Sequence, residues 1–240
     1  MTGTMLRNAL KPSVICLIAA LAVQATGCSR ISRLASGSDT YRTTTYKGVV
    51  DRWTRQARIQ HGLQVDLIVS VTFKSKAFRR AYAEEYAQAY QLRPFEKERF
   101  TADQLHVADL SHDFLMAAFV PEKKWDEFDK PQSMWKLYLV NDDNERVSPF
   151  EVRRLRKKDA LIAHFFPYVT PWKSVFLVRF PCRISETGRA VIGPKTKHVT
   201  LVVTSVLGTV EMHWTVDHSG GTKAAGCSRI QKQKVSALFF

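Results

Sequence analysis

The residues of this chain that could do chemistry fall into a few small groups. Cys16, Cys28, Cys182 and Cys227 are scattered, with none of the Cys-x-x-Cys spacing of a zinc site. Oxygen ligands crowd Asn141-Asp142-Asp143-Asn144-Glu145. An EF-hand loop also needs a glycine at its sixth position and a glutamate at its twelfth; neither is here, so a hairpin turn is expected. His106 stands near Asp109, and His112 beside Asp113, as base and orienting carboxylate would, but no nucleophile accompanies either pair. His213 and His218 flank Asp217, yet their odd offset would put them on opposite faces of a strand. Arg153, Arg154, Arg156, Lys157 and Lys158 form the densest charge cluster, with Glu151 and Asp159 at its ends. Such a cluster suits phosphate groups, or else a solvated hairpin tip that discourages edge-to-edge pairing. Gly-x-Ser-x-Gly, His-Glu-x-x-His and the glycine-rich phosphate loops are absent from the sequence. No catalytic residue, metal or cofactor is therefore expected.

Cys28 stands apart because of what precedes it. Arg7 and Lys11 give a basic start, Val14 to Val23 is apolar, and the small residues Ala25, Thr26 and Gly27 follow. That order is the layout of a secretory signal peptide. The apolar run is too short to span a bilayer, which takes roughly 20 residues. Ala25-Thr26-Gly27-Cys28 resembles the lipobox of bacterial lipoproteins; it matches at Thr26, Gly27 and Cys28 and departs at Ala25, where the family prefers Leu. The resemblance implies diacylglyceryl transfer to the Cys28 thiol, cleavage before Cys28 and acylation of the new amino group. Each buried methylene contributes about 0.8 kcal/mol, so several acyl chains would anchor the protein without a transmembrane helix. Ser29, where Asp would favour inner-membrane retention, implies the outer membrane, facing the periplasm. An oxidising compartment permits a Cys182–Cys227 disulfide. Two unpaired thiols, with Cys182 buried, is the other reading, because sequence spacing does not give Cα separation.

The chain has 240 residues, 45% hydrophobic and 24% charged, which suits a folded domain rather than a disordered or multi-span chain. Its net charge is +14, and loss of residues 1–27 would remove only Arg7 and Lys11 from that excess. A basic chain at an envelope should attract anionic lipid or another envelope polyanion. Export argues against nucleic acid as the partner.

The elements that must position these residues are mostly strands. Residues 28–45, rich in Ser, Thr and Arg, read as a flexible tether. His61-Gly62 signals a hairpin, after which Leu63, Val65, Leu67, Val69, Val71 and Phe73 alternate with mostly polar neighbours. Ser75 is placed to cap a helix carrying Phe78, Tyr82, Tyr86 and Tyr90, a stripe that belongs to a core. A short helix from Thr101 to Leu110 follows. The segments 113–120, 134–140, 147–155, 161–166, 172–180, 199–206 and 210–214 read as strands. Residues 217–240 read as a basic disordered tail. In it, Gly226 to Ile230 repeats Gly27 to Ile31 letter for letter.

The expected fold is a mostly β, β-sandwich-like domain over 46–216 with a small α-helical insertion, with a mixed α+β sheet as the alternative. The expected function is a membrane-anchored envelope lipoprotein with a non-catalytic binding or structural role. The alternative is a lipid-anchored hydrolase acting on envelope polymers.

Overall fold

The turn at His61-Gly62 and the alternation beyond it form a hairpin. Strand β1 (Thr54–His61) pairs antiparallel with β2 (Gln64–Phe73), His61 opposite Gln64 and Thr54 opposite Thr72. Gly62 sits at φ +60, a left-handed conformation that glycine adopts without strain. A computed structural model of the chain describes this hairpin together with the rest of residues 44–155 and 160–216.

Two antiparallel sheets make the fold. In the five-stranded sheet β2 is followed by β3 (Ser111–Phe119), β7 (Ser174–Pro181) and β6 (Glu151–Leu155), in the order β1-β2-β3-β7-β6. The four-stranded sheet runs β5 (Arg146–Val147), β4 (Lys136–Asn141), β8 (His198–Ser205), β9 (Gly208–Thr215). The mostly β, sandwich-like expectation holds.

Alternation decides what lies between the sheets. Phe73 stacks on Phe114 at 4.7 Å, and both rings reach Trp214 of the second sheet. Phe176 meets Phe128 at 5.2 Å, and Phe128 stacks on Trp135 at the start of β4. Val210, Met212 and Trp214 are all buried, as their shared face predicts.

The opposite face of the five-stranded sheet is covered as well. Ser70 and Thr72 are wholly buried there. Thr72 Oγ1 lies 2.6 Å from Tyr168 Oη, the Tyr168 hydroxyl donates to the Leu115 carbonyl, and Lys173 Nζ donates to Ser70 Oγ. The cover continues into helices α1 (Thr44–Trp53), α2 (Lys76–Ala89), α3 (Pro94–Leu110) and α4 (Ala160–Phe165). Phe78 and Tyr82 of α2 pack on Phe166 and Phe165, and the Tyr46 hydroxyl of α1 donates to the Phe165 carbonyl. The tyrosine stripe is thus core down to Tyr86, with Tyr90 at the rim. Each such ring pair adds roughly 0.5–1.5 kcal/mol beyond its buried area.

Four segments differ from the sequence reading. Helix α1 begins where the tether was expected to end; its stripe of Tyr46, Val50 and Trp53 is short enough to pass for a polar linker. Residues 161–166 were expected as a strand and instead belong to α4 and its exit, because an apolar run of that length satisfies either geometry. Helix α3 starts at Pro94, well before Thr101; proline is favoured in a first helical turn, and the Arg93 N–H donates to Glu96 Oε2 at 2.9 Å. The return after Val147 is two strands, since the chain leaves the four-stranded sheet near Pro149 and joins the five-stranded one as β6.

The two sheets approach along β1 and β9, where Arg55 Nε donates to the His213 carbonyl at 2.8 Å. Gly208 opens β9 at φ +135, and a Cβ there would sit 3.1 Å from Ile59 Cγ2. Gly208→Ala should therefore lower stability by roughly 1–3 kcal/mol, through backbone strain and displacement of Ile59. Urea unfolding of the two chains measures this; equal midpoints would show that the edge is free to shift.

Candidate functional site at the end of the five-stranded sheet

Charged side chains collect where β2 ends, β3 begins and β7 ends, on the face covered by the helices. The register sets them there: Asp113 is opposite Arg179, which is opposite Glu151. Ser75 caps α2, its Oγ accepting from the Phe78 N–H at 3.2 Å, and that start aims Arg79 back at the sheet. Arg79 Nη2 donates to Asp113 Oδ2 at 2.6 Å, and both side chains are almost entirely excluded from solvent. Arg79 Nη1 donates to Gln104 Oε1 of α3, and its Nε donates to the Lys74 carbonyl, both at 3.0 Å. On the other carboxylate oxygen, Asp113 accepts from Ser111 Oγ at 2.6 Å and from Arg179 Nε at 3.4 Å. Arg179 also holds Glu151 at 2.9 Å. Burial pulls the Arg79 guanidinium down from its usual pKa, and Asp113 opposes that pull.

Lys74 adds a third cation. Its ammonium lies 5.8 Å from the centre of the Tyr82 ring. Its pKa falls from 10.5 to about 7, first because of desolvation and then because of Arg79, with Asp113 opposing. An amine that titrates near neutrality is a competent base, nucleophile or switchable anion partner. His112, the neighbour of Asp113 on β3, points to the opposite face, against Phe73. Desolvation lowers its pKa from 6.5 to about 4, and its Nε2 makes no hydrogen bond among the described residues.

The residues singled out from the sequence are dispersed. His112 and Asp113 lie on opposite faces of β3 and do not form a base–orienter pair. Asp109 pairs with Lys76, while His106 is exposed. Asn141 to Glu145 makes the β4–β5 turn, with Asn144 at φ +58. Its oxygens serve the fold: Asn141 Oδ1 accepts from the Asp143 and Glu145 N–H groups, Asp142 from those of Lys197 and His198, and Glu145 from Arg189. His213 lies 2.8 Å from Thr200 Oγ1; His218 and Asp217 are outside the described residues.

Arg153 and Arg154 lie on β6. Arg153 pairs with Glu151 at 3.3 Å. Arg154 donates to Asp126 and Ser174 and lies over the Phe176 ring at 4.6 Å. Arg156, Lys157 and Lys158 are outside the described residues. Cys182 is buried, disulfide-bonded, and has its Sγ 3.6 Å from the Asp109 carbonyl; Cys227 and Cys28 are outside the described residues.

Sequence reasoning passed over Arg79, Lys74 and Arg179. The available signal was weak: an arginine one residue after the first apolar position of a helix, otherwise read as solvated. The chain matches no protein-family model, no curated protein and no solved structure.

Two outcomes follow from this cluster. Asp113→Leu should cost about 3–5 kcal/mol by leaving Arg79 buried without its anion, and Arg79→Met/Asp113→Leu together should cost less than the single changes combined. Urea unfolding of the single and double variants reads this, and strict additivity would contradict it. Between about pH 7 and pH 10.5 the unfolded chain holds a proton that folded Lys74 has lost. Stability should therefore rise with pH across that window, and Lys74→Met should flatten the rise. Unchanged slopes in melts over that range would mean the Lys74 amine is solvated.

Proposed function

We propose that this chain is a lipid-anchored envelope protein whose β-rich domain binds a partner or supports an assembly rather than catalysing a reaction. The observation that carries the reading is the leader: Arg7 and Lys11, the apolar Val14 to Val23, then Ala25-Thr26-Gly27-Cys28. Cys28 is the acylated residue and Ser29 directs the protein to the outer membrane, facing the periplasm. The binding reading draws support from the domain interior. The buried ionisable groups Arg79 and Asp113 are bound to each other and to neighbouring elements, and so hold the fold. The partner class that fits the +14 charge is an anionic lipid or another envelope polyanion.

Labelled fatty acid should enter the wild-type chain and not Cys28→Ala, which should leave the membrane fraction or remain uncleaved. Equal labelling of both would overturn the assignment. The basic cluster has its own test. With Cys28→Ala to remove acyl insertion, binding to anionic vesicles should weaken as salt shortens the Debye length from about 10 Å at 0.1 M to about 3 Å at 1 M. It should weaken again when Arg156, Lys157 and Lys158 become Gln. Binding indifferent to both would make the cluster a solvated surface.

A further inference from the structure

Both faces of the five-stranded sheet are covered at its central strands β2, β3 and β7, and three of the most exposed large apolar side chains lie at the ends of strands. Leu63 is 100% exposed, Val206 92% and Trp172 79%. Leu63 is in the β1–β2 turn, Val206 in the β8–β9 turn and Trp172 in the loop that feeds β7. Pairing puts all three at one end of the sandwich. Gly208, two residues past Val206, abuts Ile59, shortly before the β1–β2 turn. Ile68 of β2 is opposite Phe119 at the end of β3, and Ala118 is opposite Ser174, two residues past Trp172.

We propose that this end of the domain docks on an anionic lipid bilayer. The inference rests on reading the chain as membrane-anchored, and adds which surface meets the membrane and how. Three tips on three separate connections form no groove for a peptide. A soft planar interface can receive all of them, and tryptophan favours the head-group level of a bilayer. The charge around the tips is complementary to anionic head groups. Arg58, Lys123, Lys124, Lys130 and Lys136 are exposed at or next to this end, Lys136 opposite Thr204 beside the β8–β9 turn. Three acids nearby already have partners: Asp66 lies 2.6 Å from His61 Nδ1, and Asp126 and Asp129 share Arg154. Glu122 and Glu127 stay exposed, so the cations need lipid contact from the apolar tips beside them to bind. An acyl chain on Cys28 would keep this end at high effective concentration next to the bilayer, where weak contacts suffice.

The test uses the full chain and its Cys28→Ala form with vesicles of phosphatidylcholine and phosphatidylglycerol, doped with brominated lipid. Trp53, Trp135 and Trp214 are buried, and the half-buried Trp125 is changed to Phe in every chain tested, so quenching that is lost in Trp172→Phe reports on the rim. The expected result is quenching of the vesicle-bound wild type, absent in Trp172→Phe. In the Cys28→Ala background, Leu63→Ser/Val206→Ser should weaken binding by roughly tenfold or more, as loss of two inserted aliphatic side chains requires. Both positions lie in exposed turns, so circular dichroism should be unchanged. If wild type floats with the vesicles and Trp172 stays unquenched, the rim faces water and the proposal is wrong while the anchor stands. If Cys28→Ala binds with Trp172 quenched and no fatty acid is ever found on wild type, the rim stands and the anchor is wrong. If neither chain floats, both are wrong.

Discussion

The ion pair between Arg79 and Asp113 is the interaction on which the arrangement of layers turns. Its two side chains are shut off from solvent, at 2.6 Å, so neither can be left alone without a large desolvation penalty. Arg79 belongs to α2, Asp113 to β3, and the same network reaches Gln104 on α3, the carbonyl after β2, Arg179 on β7 and Glu151 on β6. Two helices are thereby set against four neighbouring elements in a single geometry. Apolar packing alone would tolerate sliding of α2 along the sheet; directional hydrogen bonds to a fixed carboxylate do not.

This clamp explains why the polar-looking face is shut off at the central strands β2, β3 and β7, while the edge strand β1 keeps Gln56 and Arg58 in water. Ser70 and Thr72 lie under the helical layer, and each finds a partner there, Lys173 and Tyr168. The Thr54–Thr72 contact at 2.7 Å carries the same polar seam to the edge strand. A strand buried on both sides needs its hydroxyls satisfied, and the segment after α4 supplies the groups that do so. The price of such a seam is sensitivity, since a lost partner strands a buried hydroxyl.

With the faces covered, the surface chemistry moves to the strand ends. One end is occupied by the ionic network with Lys74 above it and His112 on the inner side. The other carries Leu63, Val206 and Trp172 on three connections. A domain held beside a bilayer by acyl chains would meet it with such an end rather than with a sheet face. On the proposed reading, the basic surplus of the chain and its apolar tips would act together, electrostatics drawing the domain in and insertion fixing its orientation.

The strands were legible because period two is a local property. Gln64 to Phe73, Met212 with Trp214, and the turns at Gly62 and Asn141 to Asn144 all declare themselves within a few residues. The capped start of α2 and its aromatic stripe did so too. The order of basic, apolar and small residues before Cys28 is likewise linear information, read from the chain alone. What remained hidden depends on contacts between distant residues. Whether 161–166 is helix or strand is decided by Phe165 and Phe166 meeting Tyr82 and Phe78, not by its own period. Arg79 looks like any helical arginine until Asp113, 34 residues later, is brought beneath it. The pairing of His112 with Asp113 suggested by adjacency fails, because neighbours on a strand face opposite ways. Leu63, Trp172 and Val206 lie too far apart in the chain for any pattern to unite them. The sequence by itself determined the mostly β class and the turns that join its alternating strands. Only the tertiary structure decided which charges are buried together and which apolar residues share an end, because both are set by strand order and register, which link residues far apart in the chain.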